Sequence, residues 1–108
     1  MKRKARLAAD RMRVDMAVAL TAAALDTTTD EINGDGRSTR AVFARQVAMY
    51  VAVVGFGMSY ARVAGALGRD RSTVAHACHA IEDRRDDASF DRWIAALEQS
   101  AATVPVIA

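Results

Sequence analysis

The stretch GALGRDRSTVAHACHAIE, Gly65 to Glu82, changes character at its midpoint. Its first half holds glycines, charged residues and two hydroxyl side chains, whereas its second half has apolar residues at helical spacing. This pattern predicts a helix that begins at about Asp70 or Arg71 and exposes the polar side chains at its start. The residues of its inward face are Val74, Ala77, Cys78 and Ile81.

The residues before this helix predict a shorter helix and a tight turn. Ser59 is a suitable N-cap for a helix from Tyr60 to Leu67, and Gly68 can turn the chain towards the next helix. A short helix, a glycine turn and a second helix with an exposed N-terminal face form the helix-turn-helix arrangement. That arrangement presents its second helix to the major groove of DNA.

The rest of the chain is also predicted to be helical. Alanine is abundant, aromatic residues make up only 6% and the single proline is Pro105, a composition that favours helices over strands. Amphipathic segments are predicted from Met1 to Leu25, around Ile32, from Thr39 to Val54 and around Trp93. We therefore expect one compact, multi-helix, all-α domain.

Two of these segments carry apolar residues that predict a buried face. The first helix has them at intervals of three or four, and its basic first turns are expected to fray. The helix from Thr39 is expected to be buried almost all round and to end at Gly55 and Gly57. The predicted stripe of the first helix is Met12, Met16, Leu20 and Ala23, and that of the central helix is Val42, Phe43, Val47, Tyr50, Val51 and Val54.

Charge alternates along the chain, although the formal net charge is only +2. Counting Lys and Arg against Asp and Glu gives +5 for residues 1–13, −5 for residues 14–36, +5 for residues 37–81 and −3 for residues 82–108. This alternation favours surfaces of opposite sign, one of which is basic enough to bind phosphate groups.

Several classes of protein find no support in this sequence. Cys78 is the only cysteine, so no intramolecular disulfide is possible, and its neighbours His76 and His79 lack the further ligands of a metal site. No signal peptide and no apolar run of membrane-spanning length is recognised. No Gly-x-x-x-x-Gly-Lys-Ser/Thr phosphate loop and no catalytic arrangement occurs. We expect a cytoplasmic protein that is not an enzyme and has no cofactor, metal or membrane contact.

The predicted helix-turn-helix resembles a known family. GRDRSTV, Gly68 to Val74, followed by His76 and Ala77, is similar to the Gly-Arg-Asp-His-Ser/Thr-Thr-Val and His-Ala motif of the C-terminal DNA-binding domain (domain IV) of DnaA, the bacterial chromosomal replication initiator. ARQVAMYVA, Ala44 to Ala52, resembles that family's Arg-Gln-x-Ala-Met-Tyr-Leu-Ala helix. The resemblance covers about residues 14–82 and implies the family's Trp-repressor-like helical fold.

The resemblance implies a protein that binds double-stranded DNA. The helix after Gly68 would enter the major groove, and Arg37 would contact the adjacent minor groove, where a narrow A·T-rich segment attracts arginine. Ala75 stands where the family often has a leucine on a thymine methyl group. The residues expected to contact DNA are Arg37, Ser38, Arg45, Ser59, Arg62, Arg69, Asp70, Arg71, Ser72, Thr73, Ala75 and His76.

Two departures from the family pattern affect the expected specificity. Arg71 replaces the family's histidine, which exchanges a mostly neutral ring for a permanent cation with a fork of donors. The turn has one glycine, Gly68, where the family usually has two, so it is shorter. The preferred DNA sequence is therefore expected to differ from the initiator's usual A·T-rich nonamer.

The predicted organisation is a basic N-terminal extension of the first helix (residues 1–13), the DNA-binding domain (residues 14–100) and a flexible tail (residues 101–108). Without a phosphate loop, the chain is expected to act as a stand-alone DNA-reading domain that regulates replication initiation or transcription at initiator-like sites. The alternative is a protein with little DNA affinity that binds the initiator through its acidic surfaces and the Trp93 helix.

Overall fold

Helices account for almost all of the described chain. The computed structural model describes residues 2–104, and within that range it contains α-helices and one π-helical turn but no strand. The helices are α1 (Lys2–Leu25), α2 (Thr29–Asn33), α3 (Thr39–Tyr50), α4 (Tyr60–Leu67), α5 (Arg71–Arg84) and α6 (Ala88–Thr103), and the π-helical turn spans Val51–Gly55. The prediction of an all-α fold is confirmed.

The starts of α2, α3, α4 and α6 are fixed by side chains. In each, an oxygen of the N-cap residue accepts a hydrogen bond from the backbone N–H three residues later, a group that has no partner inside the helix. These N-cap residues are Thr28, Ser38, Ser59 and Asp87. Ser38 and Ser59 therefore have a structural role in the free protein, which leaves a DNA contact by their hydroxyl groups as a prediction.

α3 is the central helix of the fold, as predicted, and lies against α1, α2 and α5. Val47 and Val51 of its expected stripe are fully buried, but Val42 is 36% exposed and Val54 is 45% exposed. The Phe56 N–H donates to the Val51 carbonyl, five residues back, so the helix widens at its end. The expectation of burial all round was therefore wrong for Val42 and Val54. At Val54 the wider turn changes which residues face the core.

α1 buries a different face from the predicted one. Met12 is 52% exposed and Ala23 is exposed, while Met16 and Leu20 are half-buried. The buried residues are Asp10, Val14, Ala17, Val18, Thr21 and Ala22. Small side chains let α1 approach α3 and α4 closely. The predicted stripe was wrong because it was chosen from the large methionines, whereas mostly small residues of α1 face the core. The helix includes Lys2, so the turns expected to fray are helical, whereas Met1 lies outside the described residues.

α6 closes the core by crossing the π-helical turn. A Cβ atom on Gly55 would lie 2.7 Å from the Cβ of Ala101, so this close approach requires glycine. α6 runs to Thr103, which makes the first residues of the expected tail helical, and the expected tail residues 105–108 lie outside the described residues. Between residues 2 and 104, no helix is long and apolar enough to cross a bilayer.

Candidate nucleic-acid interface

The turn between α4 and α5 has helix-turn-helix geometry. Gly68 has φ 66° and ψ 36°, a left-handed conformation that glycine adopts without strain. Its N–H and that of Arg69 both donate to the Ala64 carbonyl, the second at 3.0 Å. α5 then begins at Arg71, within the predicted boundary. These bonds satisfy a carbonyl at the end of α4 and fix the direction in which α5 leaves the turn.

The first turns of α5 present polar side chains to solvent. Asp70 occupies the N-cap position, but its side chain makes no capping hydrogen bond. The exposed residues here are Asp70, Arg71, Ser72, Thr73 and His76, with Ala75 half-buried among them. The opposite face is buried, as its spacing predicted, and consists of Val74, Ala77, Cys78 and Ile81. Helix capping therefore does not account for the polar cluster, which is open to a ligand.

Arg71 is oriented by an aromatic ring of the preceding helix. Its guanidinium carbon lies 5.6 Å from the centroid of the Tyr60 ring, within the range of a cation–π contact. Tyr60 is the first residue of α4, so the contact bridges the two helices of the motif. Sequence reasoning missed Tyr60 because the pairing depends on how the two helices cross.

The loop between α2 and α3 carries Arg37, whose side chain is exposed. Ser38, the next residue, begins α3 by accepting a hydrogen bond of 3.1 Å from the Ala41 N–H. Arg40 in the first turn of α3 donates to two backbone carbonyls at the end of α1, at 3.3 and 2.5 Å. The C-terminal end of this loop is therefore held in place beside α1.

Two arginines among the expected DNA contacts donate to this loop and to the end of α2. Arg69 Nη2 lies 3.0 Å from the Gly34 carbonyl and 3.3 Å from the Asp35 carboxylate. The carbonyls that accept from Arg45 are those of Ile32 (Nε, 2.9 Å), Gly36 (Nη1, 3.2 Å) and Glu31 (Nη2, 3.3 Å). Burial, and next the charge of Arg69, lower the pKa of Arg45. Arg69 thus brings the Arg37 loop and the start of α5 together.

Arg62 is paired within the protein. Its Nε and Nη2 donate to the two carboxylate oxygens of Asp10, at 3.0 and 2.6 Å, and Arg13 lies 3.6 Å from the same carboxylate. This bidentate ion pair joins α1 to α4, and its carboxylate is buried, since Asp10 is only 4% exposed. Sequence reasoning missed Asp10, although it is the only acid among residues 1–13. A phosphate contact by Arg62 would compete with this pairing.

The described residues give no support to a metal site. In that part of the chain, no group of three His, Cys, Asp or Glu side chains could hold an ion. Cys78 lies on the buried face of α5, whereas His76 and His79 are exposed. Burial, and to a lesser degree the charge of Glu82, raise the pKa of the Cys78 thiol to about 11. Cys78 is therefore a protonated core residue.

Residues 14–81 match a family model described as the bacterial dnaA protein helix-turn-helix. The chain belongs to this family. The match includes α4, the Gly68 turn and α5 almost to its end, so the DnaA-type motif is the one whose geometry is described above. The family is a DNA-binding helix-turn-helix and is not a catalytic domain.

Curated relatives and a solved structure agree with this family. The chain is 32% identical over 94 residues to the chromosomal replication initiator protein DnaA of Lachnoclostridium phytofermentans, covering 85% of this chain and 21% of that protein. It is 35% identical over 66 residues to chromosomal replication initiator protein DnaA 2 of Chlamydia pneumoniae, covering 60% and 15%. A crystal structure of a DNA replication initiation factor has a TM-score of 0.80 and 28% identity, over 94% of this chain and 31% of that one. The chain thus spans about a fifth or less of these two curated relatives.

The left-handed glycine of the DnaA-type turn allows a direct prediction. Gly68→Ala should lower the free energy of unfolding by about 1–2 kcal/mol, because a Cβ atom there strains the backbone without meeting any atom within 4 Å. Gly57→Ala is the matched control, since Gly57 has φ 68°, equally open surroundings and a position before the other end of α4.

Urea unfolding should give similar losses in the free energy of unfolding for Gly68→Ala and Gly57→Ala. Amide chemical shifts at the start of α5 should change only in Gly68→Ala, because Gly68 sets the direction of α5. Equal shift changes there in both variants would contradict the role assigned to the Gly68 turn.

Proposed function

We propose that this protein reads double-stranded DNA, with the start of α5 in the major groove and Arg37 in the adjacent minor groove. The observation that carries the proposal is the exposed polar cluster of α5, whose Asp70 makes no capping bond, beside the Arg37 loop in a DnaA-type helix-turn-helix. A helix of this kind places its N-terminal residues against base edges.

The side chains at the start of α5 suit base recognition. The exposed guanidinium of Arg71 has the donor fork that binds guanine O6 and N7 together. Ser72 and Thr73 offer hydroxyl groups to bases or phosphates, and Ala75 offers a methyl group to a thymine. Since Arg45, Arg62 and Arg69 form hydrogen bonds within the protein, we assign base reading to Arg71, Ser72, Thr73 and Ala75 and not to these three.

The cellular role that we propose is regulation at initiator-type sites. The curated relatives are chromosomal replication initiators, and residues 14–81 match the family model of the dnaA helix-turn-helix. A protein that occupies such sites would control replication initiation or transcription there, in the cytoplasm and on the nucleoid.

A binding titration tests sequence-dependent DNA binding. A labelled duplex with an initiator-type box and a scrambled duplex of the same composition are compared at the same moderate salt concentration, because the phosphate contribution falls with salt. We expect the box to bind at least about tenfold more tightly. Equal affinity for both duplexes would refute sequence reading, and binding to neither would refute the DNA-binding role.

Arg71→Ala should weaken binding by about 1–3 kcal/mol and relax the preference at one base pair. The matched control is Arg84→Ala, which removes the same charge from the opposite end of α5, where Arg84 lies 4.5 Å from the Phe43 ring centroid. Competition with duplexes substituted at each position measures both effects. An unchanged base preference in Arg71→Ala would remove Arg71 from the base contacts.

A second candidate function is binding to the replication initiator itself. Phe43, Phe90 and Trp93 form a half-buried ring cluster between α3 and α6, with centroid separations of 5.7 to 6.4 Å. The segment 82–108, which includes Phe90 and Trp93, carries an acidic excess in the sequence. Capture of the purified initiator after DNase treatment, combined with absent duplex binding, would favour this function over DNA reading.

A further inference from the structure

We propose that Arg69 is a positioning residue that ties the Arg37 loop to the start of α5, and so sets the spacing between the minor-groove and major-groove contacts. The inference rests on the proposed function. It assigns different roles to the two arginines that flank Asp70, although both stand in the same short motif.

Arg69 is anchored at both of its ends. Its backbone N–H donates to the Ala64 carbonyl at 3.0 Å, which fixes it to the end of α4. Its guanidinium reaches the Gly34 carbonyl at 3.0 Å and the Asp35 carboxylate at 3.3 Å, across a gap of more than thirty residues in sequence. The side chain of Arg69 is 26% exposed, whereas Arg71 is open to solvent. Arg69 therefore spans from the helix-turn-helix to the loop.

Arg45 holds the same loop from α3. Its three guanidinium nitrogens donate to the carbonyls of Glu31 and Ile32 at the end of α2 and of Gly36 in the loop. Gly34 thus lies between carbonyls that Arg45 binds on both sides, and Arg69 binds Gly34 itself. Two guanidinium groups fix the segment that leads directly into Arg37.

The acceptors explain why arginine suits this place. Glu31, Ile32 and Gly34 lie at the end of α2, where backbone carbonyls have no partner inside the helix and carry partial negative charge. A planar guanidinium presents several donors in fixed directions, whereas a lysine ammonium is a compact point charge. A lysine at position 69 would keep the charge but lose the fixed geometry between the loop and the turn.

Amide hydrogen exchange in the free protein tests the tie without DNA. Arg69→Ala should raise exchange at the Gly34 amide, which donates to the Asp30 carbonyl at 3.0 Å, by about tenfold or more, because this end of the loop loses its link to α4 and α5. Arg71→Ala is the matched control with the same charge change, and it should leave the Gly34 amide within about twofold of the parent rate. Parent-like exchange at the Gly34 amide in Arg69→Ala would overturn the proposal.

A double-mutant cycle in DNA binding tests the consequence for recognition. We expect Arg69→Ala to weaken binding to the box duplex by about tenfold in the parent chain and by less than about twofold in an Arg37→Ala background. Arg69→Lys should be nearly as weak as Arg69→Ala, with the slope of affinity against salt unchanged. Arg71→Ala, as an independent contact, should cost the same in both backgrounds.

Other outcomes have distinct meanings. Equal losses from Arg69→Ala in both backgrounds, with full rescue by lysine and a salt slope reduced by about one, would make Arg69 a direct phosphate contact and overturn the positioning role. If the parent chain shows no preference for the box duplex, the proposed function fails, while hydrogen exchange still decides whether Arg69 ties the loop.

Discussion

Arg85→Met should lower the free energy of unfolding by about 2 kcal/mol, because it removes charge-assisted hydrogen bonds to the half-buried Glu98 carboxylate and to the buried Tyr50 hydroxyl. Arg85 Nε donates to the Asp91 carboxylate at 2.5 Å, and its Nη1 donates to the Tyr50 hydroxyl at 3.0 Å and to the Glu98 carboxylate. The hydrogen bonds that Arg85 donates, first to Asp91 and then to Tyr50, raise the pKa of Arg85, so it stays charged. One guanidinium therefore joins the end of α5 to α3 and α6.

The matched control for Arg85 is Arg92→Met on the exposed surface of α6. Arg92 makes one long contact of 3.4 Å, to the Ser89 hydroxyl, and its loss should change stability by less than about 0.5 kcal/mol. Urea unfolding followed by far-ultraviolet circular dichroism compares the two variants. Equal losses would show that Arg85 is an ordinary surface charge and would remove its role in holding α6.

The helix-turn-helix could be predicted from sequence because its signals are local. Ser59 caps α4, Gly68 supplies the left-handed residue and α5 follows its apolar spacing, all within contacts of three or four residues. The buried face of α1 could not be predicted in this way. It depends on how closely α1 approaches α3 and α4, a distance that neighbouring residues in the sequence do not determine.

The roles of the arginines were the least predictable part of the site. Arg62 binds Asp10, 52 positions earlier, and Arg69 binds Gly34, 35 positions earlier. The sequence predicted that both side chains point into solvent. Their partners could not be predicted, because composition does not reveal which backbone carbonyl will accept a hydrogen bond, and a distant acidic partner stands at no fixed spacing. Arg71 differs because its position at the start of a helix with a known inward face already indicated exposure.

The buried Tyr50 and Cys78 predict that stability falls in alkaline solution. Burial first, and then the hydrogen bond to Glu82, raise the pKa of the Tyr50 hydroxyl to about 12 from an ordinary 10.0. Burial raises the pKa of the Cys78 thiol to about 11 from an ordinary 9.0. Both side chains are nearly inaccessible, at 2% and 4% exposure. The fold therefore keeps two protons that the unfolded chain releases.

The pKa of each group is higher in the folded chain than in the unfolded chain. The two protonated side chains therefore contribute fully to stability below pH 9, and this contribution is lost as pH rises from 9 through about 12. One pKa unit corresponds to about 1.4 kcal/mol, so two units give a loss of about 3 kcal/mol for each group. Urea midpoints across this range should fall steadily. The ultraviolet absorbance of the phenolate should report Tyr50 ionisation at the upper end.

Two conservative variants separate the contributions of these groups. Cys78→Ala should remove the part of the decline between pH 9 and about 11, and Tyr50→Phe the part between pH 10 and about 12. Each variant changes the stability at neutral pH as well, so the comparison uses the slope of stability against pH, which depends only on protons released on unfolding. If the stability of the chain with both substitutions, Cys78→Ala and Tyr50→Phe, declined with pH as steeply as that of the parent chain, other groups would cause the alkaline loss. The buried residues between α3 and α5 would then not be its source.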